Sequence, residues 1–473
     1  MKRVLKIGLV GFLVLMLAAS IGATWYLSRA LPIGTGYVAK YLCSSVFISL
    51  REPGPVFAED IAPVNPLARV IRYRIDHEAQ SVSAEAFGRF SKTAVYREGC
   101  GCTLVAGTTA ATLEAQSLLP PEFNRFRPVH TADRAWPEGE GPSEDPADFG
   151  VDAVRLEAAL AAAFHTPDPD KPLQTRAVLV VYNGRLIAER YADGIHQAMP
   201  LLGWSMAKSI TNALVGILVQ KGRLDLRQPA PVPEWQAAGD PRMGITIDQL
   251  LRMSSGLAFE EVYAPLKDAT AMLYGSADFA AYAAAKLLER EPDTHWNYSS
   301  GTANILARMV RQAVTADYPH YYQFIHQALF DKIGMYSAVL EPDASGTFVG
   351  SSYAFATARD WARFGLLYLQ DGVWQGERIL PQGWVAYTTT PTRGAPRGEY
   401  GAHFWLNAGA PDNSADRPWP GAPADAYAAR GFQEQRVIVI PSRQLVLVRL
   451  GATADRRAWD SNQFIQDVIA ALP

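Results

Sequence analysis

The stretch from Leu201 to Leu226 limits what this chain can fold into more than any other, because it demands burial and carries two groups that resist it. From Met206 onward, apolar residues recur at three- and four-residue spacing (Met206, Ile210, Leu214, Ile217, Leu218), the pattern of a helix with a buried face. Gly222 follows where the pattern stops, in the place of a helix C′ residue. Ser205 and Lys208 stand one turn apart at the start, so their side chains meet on one face. There the unpaired amides and the positive end of the helix dipole favour an alkoxide or an oxyanion. A lysine in that position, partly desolvated, has its pKa lowered, which lets it take the serine proton. This is Ser-x-x-Lys chemistry, with lysine in the part that histidine plays in a triad. A serine cap beside a solvated lysine would give the same letters. Against that reading, no other serine in the chain has a lysine three residues on. A buried helix start is also costly to build around a lysine that has no use.

The 473 residues can bury a large core and hold more than one domain. With 49% hydrophobic and 19% charged residues and a net charge of −3, the composition is that of a globular chain. No basic surface suited to nucleic acid and no charge run suited to a polyanion is present. Residues 1–29 read as a targeting segment. Lys2, Arg3 and Lys6 precede an uncharged apolar stretch from Ile7 to Leu27, about long enough to span a bilayer. The cations predict an N-terminus in the cytoplasm and a body outside, which makes the chain a single-pass inner-membrane protein facing the periplasm. Small residues at Ala18, Ala19 and Ser20 leave a cleaved signal and a secreted periplasmic product as the alternative.

Residues 30–128 read as a small N-terminal extension without evident chemistry. Ala68–Ile75 alternates as a strand, and Ala94–Tyr96 reads as another. All 3 cysteines, Cys43, Cys100 and Cys102, lie here. In an oxidising compartment Cys43 can bridge to either of the other two, and three unpaired buried thiols are equally compatible. The 8 histidines are scattered without ligand spacing, so no metal is expected, and nothing implies a cofactor. Residues 129–148, rich in Pro, Gly and acid, read as a linker.

From residue 149 to 473 a helix is expected at Asp152–Phe164, then a hairpin of Ala177–Tyr182 and Arg185–Tyr191 about an Asn183-Gly184 turn. Thr246 and Gln249 form a capping-box pattern before Leu250. Helical patterns continue through Tyr321–Phe330 and Ala358–Leu369. Strands follow at His403–Leu406, Gln435–Ile440 and Leu445–Leu450, with a closing helix at Asn462–Leu472. A hairpin near the start and strands at the end predict an α+β domain: one antiparallel sheet completed by both ends, flanked by helices, plus a mostly helical lobe.

Five blocks in order resemble the serine β-lactamase and penicillin-binding protein superfamily, in its class C-like branch that includes esterases and 6-aminohexanoate-dimer hydrolases. They are Ser205–Lys208, Lys221–Leu226, Ile245–Leu257, Trp296–Ser300 and Thr357–Gly365. The resemblance implies a β-lactamase/DD-peptidase-like fold and an acyl-enzyme on Ser205, with Lys208 as base. It places the family's Tyr-x-Asn motif on Tyr298 to Ser300. Tyr298 would relay protons if the nearby ammonium lowers its pKa, and Ser300 replaces the asparagine that contacts substrate. The third motif falls on Ala429, Arg430 and Gly431, without its usual cation. Family geometry would draw the oxyanion hole from the backbone N–H groups of Ser205 and Phe432, with Arg430 and Gly431 beside the substrate.

The implied activity is hydrolysis of a small-molecule amide or ester. Without a cation at Ala429, linear substrates are expected to be preferred over β-lactams, whose carboxylate that cation would bind. The altered third motif also leaves open a membrane-anchored sensor of the same fold that does not turn over, and the resemblance leaves a true β-lactamase or DD-peptidase as a further alternative. The Gly203-x-Ser205 sequence also approaches the nucleophile elbow of α/β-hydrolases. That fold needs a buried strand directly before the serine, which residues 194–200 do not offer.

Overall fold

The computed structural model describes residues 2–123 and 128–473. The side chains of residues 2–5, 8 and 10 lie outside that description, so the cations expected at Lys2 and Arg3 do too, as does the end of the extension near Arg127. Six antiparallel strands form the main sheet, in the spatial order Trp405–Leu406, Tyr427–Gly431, Gln435–Ile440, Leu445–Gly451, Thr175–Tyr182, Arg185–Tyr191. Both ends of the domain meet where Leu445–Gly451 pairs with Thr175–Tyr182, as the strand pattern predicts. The Asn183-Gly184 turn closes the hairpin, with positive φ at both residues (50° and 77°), as such a turn requires.

The sheet is buried on both faces, which is why its strands read as continuous apolar runs. Ala177, Leu179 and Val181 face one core, against the helices Ala207–Gln220 and Ala358–Leu369. Val178 and Val180 face the other, against the helices Ala153–Ala162 and Ser461–Ala471. The capping box forms as expected, with Thr246 and Gln249 bonding each other's backbone. The first of those core helices ends at Gly222 (φ 66°). Bonds from Arg223 N to Leu218 O (2.8 Å) and from Gly222 N to Val219 O (3.0 Å) complete a Schellman motif.

The N-terminal part differs from its sequence reading. One helix runs unbroken from Lys2 to Phe47, through Pro32 and past the expected boundary at residue 29. Its apolar side chains are exposed from Ile7 to Leu27, and from Ala30 onward it is buried. Gly34 and Gly36 do not end it. A Cβ on either would meet Leu67 or Tyr274 at 3.1–3.2 Å, so glycine there permits close packing. A four-stranded antiparallel sheet packs beside it: Ile71–Asp76, Ser81–Ala86, Phe90–Arg97 and Gly101–Leu104. The strand read over Ala68–Ile75 begins only at Ile71, because Pro66 starts a 3₁₀ turn capped by Asn65. Cys43 pairs with Cys102, and Cys100 is a buried free thiol.

This extension shares its core with the larger domain, including Trp204, Phe259, Tyr274 and Tyr353. Buried ion pairs fix the seam: Lys40 to Glu341, and Arg51 and Arg176 both to Asp60. The stretch 129–148, read as a linker, lies against the larger domain. Trp136 in it is buried, and Glu140 is held by Arg359 and Arg363.

Candidate active site

The helix Ala207–Gln220 is buried all round over Ala207–Leu218, not on one face as its apolar periodicity predicts. Its polar residues tolerate this because each has a partner. Ser209 donates to His403 O (2.8 Å) and Thr211 to Gly350 O (3.1 Å). Asn212 donates to Ala402 O (2.9 Å) and accepts from Tyr368 (2.6 Å) and Trp384 (2.9 Å). Ser205 lies one turn before the helix, in a 3₁₀ turn spanning Trp204–Met206.

That turn is strained and clamped. Trp204 has φ 48°, a left-handed conformation that costs a bulky residue on the order of 1–3 kcal/mol. Its indole donates to Gln433 Oε1 (3.3 Å), and its ring meets Phe432 edge-on with centroids 5.6 Å apart. Gly203 donates to Ala354 O (2.8 Å), and a Cβ on it would run into the Trp361 ring at 2.3 Å. A Cβ on Gly431 would meet Gly203 O at 2.1 Å. The end of the strand Tyr427–Gly431 is thus pressed against the backbone just before Ser205, which brings Phe432 beside the Trp204–Met206 turn.

Lys208 Nζ lies 3.1 Å from Ser205 Oγ, 3.1 Å from Ser300 Oγ and 2.9 Å from Ser351 O. It also sits 4.8 Å from the Tyr298 ring centroid. Burial lowers the Lys208 ammonium to about 8, with the Glu261 carboxylate pulling the other way. Ser205 is among the groups that act on the Tyr298 phenol. Its pKa is raised, chiefly by burial and then by Glu261; Ser205 and Arg430 oppose this without reversing it. The expectation that the ammonium lowers the Tyr298 pKa is therefore corrected: desolvation outweighs the nearby charge, and the phenol stays protonated.

Ser300, expected against substrate, is fully buried behind Lys208. It accepts from Lys208 and donates to Glu261 Oε1 (2.6 Å), while its backbone N–H donates to Glu261 Oε2 (2.7 Å). Glu261 is the residue that sequence reasoning missed. It comes from the loop after the Ile245–Leu257 block, and Tyr263 on the same loop stacks on Phe432 (5.3 Å, 14°). Ala429 turns into the core and Arg430 to the opposite face, as pleating requires. There the guanidinium lies 4.7 Å from the Trp405 ring and 5.8 Å from that of Trp419. Burial and Arg436 lower its pKa. Trp405 in turn packs on Tyr298 (5.2 Å), so the cation sits one aromatic ring away from the phenol.

One group of metal-type side chains, His130, Glu140 and Asp360, gathers among the described residues, far in sequence from Ser205. Its carboxylates are engaged by Arg359 and Arg363.

The family model described as Beta-lactamase matches residues 165–466, most of the chain. The chain belongs to that family. As a member of the Beta-lactamase family it is similar to the 6-aminohexanoate-dimer hydrolase of Paenarthrobacter ureafaciens, with 27% identity over 348 residues, covering 69% of this chain and 86% of that protein. Among solved structures, a putative 6-aminohexanoate-dimer hydrolase from Bacillus anthracis superposes with a TM-score of 0.51 at 24% identity, over 63% of this chain and 77% of that one. A family VIII carboxylesterase superposes with a TM-score of 0.52 at 16% identity, over 67% and 97%. These likenesses carry the Beta-lactamase fold, a mixed α/β architecture built on antiparallel sheets.

Proposed function

We propose that this chain is a serine hydrolase that cleaves an amide or ester through an acyl-enzyme on Ser205. The observation that carries the reading is the 3.1 Å contact of Ser205 Oγ with a buried lysine whose pKa is brought down to about 8. The names of its relatives, a dimer hydrolase among them, support the same reaction class. Lys208, neutral in part near pH 8, takes the Ser205 proton as Oγ attacks the substrate carbonyl. The N–H groups of Ser205 and Phe432 receive the developing oxyanion. Tyr298, still protonated, gives its proton to the leaving group. The phenolate then regains it from the Lys208 ammonium, a downhill step because the tyrosine binds the proton more tightly than the lysine. Water completes the cycle by the same route in reverse. Ser300 and Glu261 hold Lys208, and Gly431 borders the substrate side, whereas Arg430, turned toward Trp405 and Trp419, does not reach it.

The absence of a cation at Ala429 supports linear amides or esters over β-lactams. A charge-assisted hydrogen bond to the β-lactam carboxylate is worth roughly 1.5–3 kcal/mol, about tenfold to a hundredfold in binding. The exposed apolar half of the N-terminal helix supports an inner-membrane anchor over residues 1–29, with the extension (30–128), the connecting stretch (129–148) and the hydrolase domain (149–473) in the periplasm. Protease added to spheroplasts should digest that body; protection of the body would overturn the placement. Ser205→Ala is expected to abolish labelling by a fluorophosphonate while the fold, read by circular dichroism, persists. Equal labelling of the variant would end the nucleophile assignment.

A further inference from the structure

An apolar cavity of about 200 Å³ lies between the N-terminal helix and the active-site loops, and the acyl-enzyme reaction does not use it. Trp204, Tyr263 and Phe432 line its inner side. Trp204 directly precedes Ser205, and Phe432 carries the second oxyanion amide, so the cavity adjoins the reacting centre. Ile33 and Tyr37 of the N-terminal helix, with Leu67, line its outer side. Two lining residues, Tyr37 and Asn65, each keep a buried polar atom (Oη and Nδ2) without a hydrogen-bond partner. Both atoms can donate, so a bound acceptor would satisfy them.

The mouth of the cavity has a defined height on the N-terminal helix. Tyr26 lies there, 42% exposed, where the exposed apolar side chains end and the buried ones begin. Trp25 is its neighbour, and the Arg29 guanidinium sits 4.5 Å from the Trp25 ring. Two aromatic rings and a cation at the end of an apolar span of about 30 Å are the signature of a membrane–water border.

We propose that this cavity takes the apolar arm of an amphiphilic amide or ester, a substrate that reaches Ser205 from the bilayer surface. The proposal rests on the hydrolase reading and names its substrate class. The hydrocarbon arm fills the apolar walls, and a carbonyl or hydroxyl oxygen near the scissile bond accepts from Tyr37 or Asn65.

The test uses the full chain in lipid nanodiscs and p-nitrophenyl esters of acetate, butanoate, octanoate and dodecanoate. Each methylene that enters the cavity raises kcat/KM by up to about fourfold, so octanoate is expected to exceed acetate by tenfold or more. Ile33→Trp, which fills the outer side, should erase that rise and leave acetate hydrolysis unchanged. A flat series, or an equal loss on acetate and octanoate in Ile33→Trp, would overturn the proposal. A readout independent of turnover is photo-crosslinking of a diazirine-bearing dodecanoyl amide to Ser205→Ala. Label is expected on residues 33–37 and 64–67, and label confined elsewhere would overturn the cavity assignment. If those residues are labelled but wild-type Ser205 resists fluorophosphonate, the cavity stands and the hydrolase reading falls.

Discussion

Among the described residues two lysines are buried, one at the seam between the extension and the larger domain and one beside Ser205, and their surroundings differ chiefly in where the nearest carboxylate stands. Lys40 is paired directly with Glu341, whose other oxygen accepts from Ser44 (2.8 Å) and from Cys102 N (2.6 Å). Lys208 touches two hydroxyls and a carbonyl, and its nearest carboxylate, Glu261, stands behind Ser300. Burial lowers the pKa of both, but at Lys40 a contacting carboxylate opposes it through charge and hydrogen bond. The seam lysine is a fixed countercharge. The other can give up its proton at modest cost because no anion claims it outright. Burial alone therefore does not suit a lysine to the proposed part of a base; burial with the counterion held one residue away does.

Removing each lysine should separate the two roles. Lys208→Ala is expected to cost a hundredfold or more in kcat with little change in stability, and Tyr298→Phe a similar factor. The double variant should lose less than the product of the two, since they act as one unit. Near-wild-type turnover in Lys208→Ala, measured on any ester that the enzyme accepts, would break the comparison at its centre.

Lys40→Met should do the opposite. It leaves Glu341 buried without its partner, a loss of about 3–5 kcal/mol that a shift in the urea midpoint would report. Turnover per folded molecule should hold. A stable variant with low kcat would mean that the seam takes part in the chemistry.

The smallest effect is expected from Glu261→Gln. Lys208 must be neutral to act, so kcat/KM should rise with pH along a limb centred at about 8 in the wild type. Glu261 favours the ammonium and so holds that limb up. The amide should move it to lower pH by roughly one unit or less, increasing the rate ratio to wild type below pH 8. A limb that stays put would show that Ser300 shields the carboxylate completely, and one that moves to higher pH would overturn the assigned role of Glu261.

Much of this fold is legible in the sequence because local rules govern it. The capping box at Thr246, the Asn183-Gly184 turn and the C′ glycine at Gly222 each depend on neighbours within a few residues, and each forms as expected. The sheet completed by both ends of the domain follows from continuous apolar runs and chain order. Ser205 and Lys208 can be found because one helical turn brings them together. Glu261 cannot. Glu260-Glu261 in a loop reads as a solvated acid pair, and only the fold turns one of the two onto Ser300. The pKa of Tyr298 escapes the sequence for a related reason: the letters show the nearby lysine but not the depth of burial that outweighs it. In the extension, Gly34 and Gly36 do not break the helix but let it run on against Leu67 and Tyr274, a close approach that the sequence does not show.

The contact of Gly431 with the Gly203 carbonyl has a consequence for how this enzyme can change. It joins the turn that holds Ser205 to the strand that leads into Phe432, the two residues proposed to supply the oxyanion amides, and it does so main chain to main chain, with no side chain between. The geometry of bond breaking is thereby insulated from substitutions in the residues that choose the substrate. Ala429 can lack a cation and Arg430 can lie among tryptophans while the spacing between Ser205 and Phe432 stays the same. Selectivity at this site is free to drift, and the two positions that cannot follow are the glycines themselves.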